Sequence, residues 1–197
     1  QQSNTITVTP INDNIVEGAE TVIVTLTTGT GYDLGNTASR TATVTITDTD
    51  TFTATVVSTV ATANEDPISN GIFTIDLASV NNTGNPVVVN YSISGTASSG
   101  IDYNALSGSL SIPNGQRTGT VTVTPIDDTN IEVNETVVLT LAAGTRYAIG
   151  SPNSATVTLV SDDQYVASIL ASDATAAESN GAMATGEFTI SLSEPNN

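Results

Sequence analysis

The most evident chemistry in this sequence comes from carboxylates that fall at the ends of segments patterned as β-strands. Between residues 51 and 163 they are Glu65, Asp102, Asp127, Asp128, Glu132, Asp162 and Asp163. Carboxylates brought close together repel one another unless a cation neutralises them. Ca²⁺ accepts about six to eight oxygen ligands in a flexible geometry, whereas Mg²⁺ requires a tighter octahedron. If these segments meet in space, the residue types predict a site for Ca²⁺.

The residue types that are missing exclude several other kinds of site. The 197 residues include no histidine, cysteine, lysine or tryptophan, and 20 acidic residues against three basic ones give a net charge of −17. Zinc and copper sites and nucleophilic triads rely on histidine or cysteine. Nucleic acids and anionic membrane surfaces are recognised through basic side chains. The composition therefore predicts a protein that is not an enzyme and binds no nucleic acid, and no apolar run reaches the roughly 18 residues of a membrane span.

An internal repeat organises the chain. Residues 8–35 align without a gap with residues 123–150, and the stretches at 41–50 and 52–65 match those at 154–163 and 165–178. Self-similarity of this kind is the signature of a repeat protein. It predicts three units, with the C-terminal part of one repeat in 1–50, a complete repeat in 51–163, and the N-terminal part of a third in 164–197.

The partial copies carry candidate metal ligands of their own. These are Asp13, Glu17, Asp48 and Asp50 in the first copy and Glu178 in the third. The first copy has Asn12 where the complete repeat has Asp127. Because a neutral amide attracts a cation less than a carboxylate does, we expect fewer or more weakly bound ions in the first copy.

The hydrophobic pattern of the complete repeat has a period of two, which is typical of half-buried β-strands. Alternating runs are separated by clusters of glycine, proline, asparagine and aspartate, and no segment carries a helical stripe. The pattern predicts an all-β protein made of tandem immunoglobulin-like antiparallel β-sandwiches with about seven strands per complete repeat. The pair Asn114-Gly115 predicts a type I′ hairpin turn between two of these strands.

The order of the strands predicts where the acidic loops lie. Named A to G in order, the seven strands alternate in direction, so the A–B, C–D and E–F loops and the end of strand G share one pole of the sandwich. All seven candidate ligands of the complete repeat fall on these segments. The B–C, D–E and F–G loops at the other pole carry asparagine, glycine, serine and Arg146 instead. The acidic pole is therefore the expected calcium site.

Two motifs in the complete repeat resemble those of Calx-β domains, the calcium-binding repeats of sodium–calcium exchanger loops, integrin β4 and large bacterial surface proteins. One is Gly-x-Asp-Tyr, ending at Tyr103, and the other is Asp-Asp-x3-Glu-x2-Glu, ending at Glu135. The resemblance implies a β-sandwich with calcium at the acidic pole, held by the seven carboxylates already named. Glu135 belongs to the second motif, but its place at the start of a strand favours a structural role.

Because strand G ends at the acidic pole, the next repeat begins beside the predicted calcium cluster. Bound ions would then stiffen the junction, which predicts a rigid, extended stalk or filament. Together with the resemblance to repeats of large bacterial surface proteins, this implies a secreted bacterial adhesin, located at the cell surface or outside the cell. Its partners would be neighbouring repeats and identical chains in a filament, with the surface to which it adheres unknown. Three alternatives are a calcium-sensing regulatory domain, a ligand-binding module, for which aromatic residues are scarce, and a paired-carboxylate glycosidase, for which no cleft is expected.

Overall fold

A computed structural model describes residues 3–178, 181 and 183–192, and it is almost entirely β-structure. Its strands are β1 (Glu20–Thr25), β2 (Thr41–Ile46), β3 (Phe52–Val60), β4 (Thr62–Asn64), β5 (Gly71–Asp76), β6 (Val87–Gly95), β7 (Ser109–Ile112), β8 (Thr118–Val123), β9 (Glu135–Leu141), β10 (Tyr147–Ile149), β11 (Ser154–Val160), β12 (Ala167–Asp173) and β13 (Glu187–Leu192). The one helical element in the described residues is a 3-10 turn, Thr37–Ser39. The predicted all-β class is confirmed.

The stretch from β3 to β11 forms a sandwich of two sheets. The first sheet has the order β10-β3-β5-β8 and the second the order β4-β11-β9-β6-β7. Alternate residues along β5 and β9 are buried, as the period of two in the sequence requires. The fully buried side chains between the sheets include Phe52, Phe73, Ile75, Leu77, Ile112 and Leu139.

The complete repeat has nine strands, β3 to β11, instead of about seven. One of the two additional strands, β4, arises because the first predicted strand changes sheets, and the other is the short strand β10. β3 pairs antiparallel with β5, and its register shifts between Ser58 and Val60. The chain then continues as β4, which pairs parallel with β11 in the opposite sheet. A register irregularity of this kind bends a strand, and here the bend carries the chain towards Glu65 at the acidic pole.

A tyrosine fixes the hairpin between β9 and β11. The Tyr147 hydroxyl donates to the Ala142 carbonyl (2.6 Å) and accepts a hydrogen bond from the Asn90 amide (3.0 Å). A Cβ on Gly144 would lie 2.5 Å from the ring of Tyr147, so only glycine fits beneath it. Tyr32 repeats the arrangement in the first copy by donating to the Thr27 carbonyl (2.6 Å).

The turn at Asn114-Gly115 differs from the predicted type I′ turn. The Gln116 amide donates to the Pro113 carbonyl (3.1 Å), which closes a four-residue turn. Gly115 has φ +84°, but Asn114 is not among the described non-glycine residues with positive φ. A type I′ turn requires positive φ at both central residues, whereas glycine at the third position alone is typical of a type II turn. The Asn114 side chain instead accepts a hydrogen bond from the Gly84 amide (2.8 Å).

The two partial copies form hairpins. β1 pairs antiparallel with β2 in the first copy, and β12 pairs antiparallel with β13 in the third. Most of their apolar side chains are exposed, including those of Ile23 and Phe188. Among the described residues there is no helix with the length and apolar character needed to cross a bilayer.

Candidate metal centre

The complete repeat brings its acidic segments together at one pole. Glu65 follows β4, Asp102 lies between β6 and β7, and Asp163 follows β11. The E–F loop, between β8 and β9, contributes Asp127, Asp128 and Glu132. Negative charges from separate segments act on one another here, since Asp128, Glu132 and Asp163 all raise the pKa of Glu65. The structure therefore shows the convergence that the strand order predicts.

Asp102 is held in a buried position by the main chain around it. Asp102 is only 5% exposed, and its Oδ2 accepts a hydrogen bond from the Ser98 amide (2.5 Å). The Asp102 amide donates back to the Ser98 carbonyl (3.0 Å), and the Ile126 amide donates to the Asp102 carbonyl (3.0 Å). The C–D loop thus fixes this carboxylate against the E–F loop.

Three carboxylates form a group compact enough to hold one cation. Oxygen atoms of Asp102, Glu132 and Glu135 all lie within 4.8 Å of one another. The place of Glu135 at the start of a strand predicts a structural role, but the structure places its side chain in the cluster. A hydrogen bond and the negative charge of Asp102, added to burial, raise the pKa of Glu135. The three-residue spacing from Glu132, across the irregular start of β9, was the signal that could have identified it.

Glu65 lies in the most restrictive environment of the predicted ligands. Only 3% of the residue is exposed, and burial is the main cause that raises its pKa to about 7. A hydrogen bond to Ser161 acts in the opposite direction, and the neighbouring negative charges act with burial. A buried carboxylate among other carboxylates is held in its charged form most effectively by a cation.

The end of β11 supplies a further buried oxygen. Asp163 is 7% exposed, and its Oδ2 is buried without a hydrogen-bond partner, as is Oε2 of Glu135. Burial, followed by the charges of Asp162, Asp128 and Asp127, raises the pKa of Asp163. Because an unpaired buried carboxylate oxygen is costly, these two atoms are the places where a cation would relieve the largest penalty.

The remaining predicted ligands lie nearer to solvent. Asp127 and Asp162 are exposed, and Asp128 is half-buried. Both carboxylate oxygens of Asp128 accept hydrogen bonds from Asn130, one from its main-chain amide (2.6 Å) and one from its side-chain Nδ2 (2.8 Å). This local turn orders the E–F loop while it leaves lone pairs on the carboxylate for a cation.

The donor set fits a hard cation. All of the candidate ligands are carboxylates, they come from four segments of the repeat, and two buried oxygens have no hydrogen-bond partner. Oxygen ligands from several loops in an irregular arrangement suit Ca²⁺ better than the strict octahedron of Mg²⁺. Asp102, Glu132 and Glu135 would hold an ion most closely. The buried Glu65 and Asp163, the half-buried Asp128 and the exposed Asp127 and Asp162 offer further oxygens at the same pole.

The first copy has a smaller acidic cluster, formed by residues that align with the acidic pole of the complete repeat. The Glu17 amide donates to Oδ2 of Asp48 (2.7 Å), and the Asp50 amide donates to Oδ1 of the same residue (2.9 Å). These hydrogen bonds lower the pKa of Asp48, whereas burial and neighbouring carboxylates, Asp13 among them, raise the pKa values of Glu17 and Asp50. The four predicted residues line one open groove of about 510 Å³.

Glu178 stands apart from these clusters. It is exposed and follows Ala177, which bridges to Ala184. No metal-ligand group that includes Glu178 is found in the described ranges 3–178, 181 and 183–192. Its assignment as a ligand stays a prediction.

Comparisons with solved structures return matches that each cover about half of this chain. Two of the matched structures are a calcium-binding domain CBD12 of CALX1.1 (23% identity, TM-score 0.44, covering 54% of this chain and 44% of that one) and the apo form of a Calx CBD1 domain (23% identity, TM-score 0.44, 56% and 99%). A third is a Calx CBD2 domain (12% identity, TM-score 0.40, 53% and 84%). A search of curated proteins found no match.

The family assignment comes from the sequence profile. The Calx-beta domain profile matches residues 1–50 and 53–163, which covers the first copy and nearly all of the complete repeat. The resemblance inferred from the Gly-x-Asp-Tyr and Asp-Asp-x3-Glu-x2-Glu motifs is thereby confirmed. This chain belongs to the Calx-beta family of calcium-binding domains.

Proposed function

We propose that this chain is a calcium-binding structural segment of an extended stalk or filament in a secreted bacterial surface adhesin, with no catalytic activity. One observation carries the proposal. Carboxylates from four segments of the complete repeat meet at the pole from which the chain leaves for the next repeat. The ion site and the mechanical joint therefore occupy the same place.

The chemistry of the pole supports calcium as the natural ligand. Without an ion, the seven carboxylates repel one another, and burial raises the pKa values of Glu65, Glu132 and Asp163. With an ion, the A–B, C–D and E–F loops and the end of β11 are cross-linked through shared ligands. A site that rarely exists in the unfolded chain adds its binding free energy to folding.

The position of the joint supports a structural role. Only residues 164–166 separate Asp163 from β12, and only Thr51 separates Asp50 from β3. Linkers this short leave little freedom between repeats once the loops at the joint are fixed. A chain of such units is quasi-one-dimensional, since each repeat contacts only its neighbours.

A calcium titration tests the proposal. Isothermal titration calorimetry should detect Ca²⁺ binding, and the affinity for Mg²⁺ should be lower. Small-angle X-ray scattering should show a longer and more uniform particle when calcium is bound. The double variant Asp102→Asn/Glu132→Gln is the control and should lose both effects at the complete repeat. Absence of binding, or binding without any change in melting temperature or particle length, would contradict the proposal.

The proposed location has its own test. Antibodies raised against this segment should label intact cells that express the parent protein, and external protease should remove the label. A segment protected until the cells are opened would contradict the surface location.

A calcium-sensing domain is the rival hypothesis. Such a domain would change its shape when calcium binds, but the particle would not become longer.

A further inference from the structure

Glu17 lies where the metal-site loop of the first copy meets the complete repeat. Its amide donates to Oδ2 of Asp48 in its own copy (2.7 Å). Its carbonyl accepts a hydrogen bond from a guanidinium nitrogen of Arg146, which belongs to the next repeat (3.3 Å). The main chain of this predicted ligand is therefore held from both sides of the junction.

The residues beside Glu17 also pack on the next repeat. Val16 is 6% exposed and belongs to the same buried cluster as the core of the complete repeat. Glu17 forms a parallel bridge with Asn82. A Cβ on Gly18 would lie 2.7 Å from the carbonyl oxygen of Thr83, so the two main chains are in direct contact. The contact is a docked segment of chain, and Arg146 is one part of it.

The B–C loop that receives this segment is itself fixed. Asn81 is fully buried, and its side-chain nitrogen donates to the carbonyls of Asn85 (2.8 Å) and Ile112 (3.1 Å). The Thr83 hydroxyl donates to the carbonyl of Asn85 (2.9 Å). A loop held by buried hydrogen bonds presents a preformed surface to the segment that docks on it.

Arg146 adopts a backbone conformation that favours glycine. Its φ is +72°, and the aligned residue of the first copy is Gly31 with φ +88°. An L-residue in this left-handed region carries steric strain that glycine avoids. The Arg146 carbonyl accepts a hydrogen bond from the Phe52 amide (2.9 Å), which anchors the residue beside the linker. The complete repeat thus carries a strained arginine where its side chain reaches the preceding copy.

We propose that the B–C loop and Arg146 form a docking surface for the metal-site loop of the preceding repeat, with Arg146 as the residue that fixes the junction. The covalent linker at Thr51, the Asn82 bridge and the Arg146 hydrogen bond together restrict rotation of one repeat against the other. This inference deepens the proposed function, on which its role in a stalk rests, although the docking contacts themselves require no ion.

Arg146 also links ion binding to the junction. Asp48 and Glu17 share a hydrogen bond, so an ion held by these residues orders the same main chain that Arg146 contacts. Coupling between two sites is reciprocal. Loss of the arginine should therefore weaken calcium binding in the first copy and leave the complete repeat unchanged.

Spin labels on the two sides of the junction test the docking surface in the full chain. The protein has no cysteine, so Thr43→Cys on β2 and Ser111→Cys on β7 give two unique and exposed positions. Arg146→Gly removes the side chain and suits the left-handed backbone. It should broaden the calcium-free distance distribution by at least about twofold, since repeats move freely unless an interface holds them. Arg146→Lys should retain part of the restriction.

Arg117→Ala is the matched control, because Arg117 pairs with Asp76 within the complete repeat and its loss changes the net charge equally. It should leave the distribution unchanged. An unchanged width in Arg146→Gly, or equal broadening in both variants, would overturn the inference. Broadening in Arg146→Gly together with no calcium binding by either copy would overturn the proposed function and leave the docking surface standing. With calcium, affinity at the first copy should fall by about fivefold in Arg146→Gly.

Discussion

The Ser98 amide donates to Oδ2 of Asp102 across 2.5 Å, and this hydrogen bond fixes the carboxylate at the centre of the acidic pole. Glu132 lies in the loop before β9, and Glu135 is the first residue of β9. An oxygen atom of each lies within 4.8 Å of an Asp102 oxygen. The C–D loop therefore presents a positioned ligand to residues that come from a different part of the chain. Preorganisation of this kind lowers the cost of binding an ion.

Removal of the central carboxylates should abolish most metal binding at the complete repeat. Asp102→Asn and Glu132→Gln keep the side-chain size but remove a charged oxygen, so each should weaken Ca²⁺ affinity by at least about tenfold. Terbium luminescence sensitised by Tyr103, which is adjacent to Asp102, provides the measurement. Asp33→Asn is the control, because it removes one charge from an exposed position in the first copy. Equal losses in all three variants would show a general charge effect instead of a site.

The sequence predicted the acidic pole because strand alternation and loop order determine which loops share an end. It did not predict Glu135, since the position of a residue at the start of a strand does not reveal which way its side chain points. The E–F loop that leads to Glu135 contains a local turn, which the hydrogen bonds between Asp128 and Asn130 hold in place. The burial of Glu65 was also beyond sequence analysis, because it depends on the change of sheets between β3 and β4.

The calcium-free protein should lose stability as the pH rises from about 4.5 to about 7. Burial raises the pKa of Glu65 from 4.5 to about 7, so between these values the folded state binds more protons than the unfolded state. Stability contributed by the protonated form is present below pH 4.5 and is lost as the pH rises through about 7. Burial raises the pKa values of Glu132, Glu135 and Asp163 as well, which adds to the same trend.

Thermal melting in a chelator across this pH range measures the effect. The variant Glu65→Gln should flatten the profile, because the amide does not titrate. Saturating calcium should reverse the slope, since the ion binds the deprotonated carboxylates and releases protons. A melting temperature that rises with pH in the chelator would contradict the proposed environment of Glu65.

The first copy should gain affinity when its missing carboxylate is restored. Asn12 aligns with Asp127 of the complete repeat and lines the same groove as Asp13, Glu17 and Asp48. Asn12→Asp should raise Ca²⁺ affinity at this copy by about tenfold, the effect of one added charged ligand. Calorimetry with the complete repeat disabled by the double variant Asp102→Asn/Glu132→Gln isolates the first site. The variant Asn14→Asp adds the same charge two residues away, and an equal gain there would argue against a ligand at position 12.

The fold itself was predictable at the level of strands and poles, but the inter-repeat contact was not. Alternation in β5 and β9 predicts which side chains are buried, and their burial follows it. The bridge between Glu17 and Asn82 joins residues far apart in sequence that follow no periodic pattern. Arg146 gave a weak signal, since it replaces Gly31 in the aligned hairpin, but only the backbone φ shows that the replacement is strained.

The two aligned tyrosines should differ in their importance for stability. Tyr147 is 6% exposed, and its hydroxyl both donates to the Ala142 carbonyl and accepts from the Asn90 amide. Tyr147→Phe leaves these two groups without their partner, so it should lower the free energy of unfolding by about 1–3 kcal/mol. Tyr32 is 53% exposed and donates one hydrogen bond, so Tyr32→Phe should cost less than about 1 kcal/mol. Urea denaturation of the two variants beside the wild type makes the comparison. Equal costs would contradict this prediction, because they would show that neither the burial of Tyr147 nor its hydrogen bond with the Asn90 amide adds to stability.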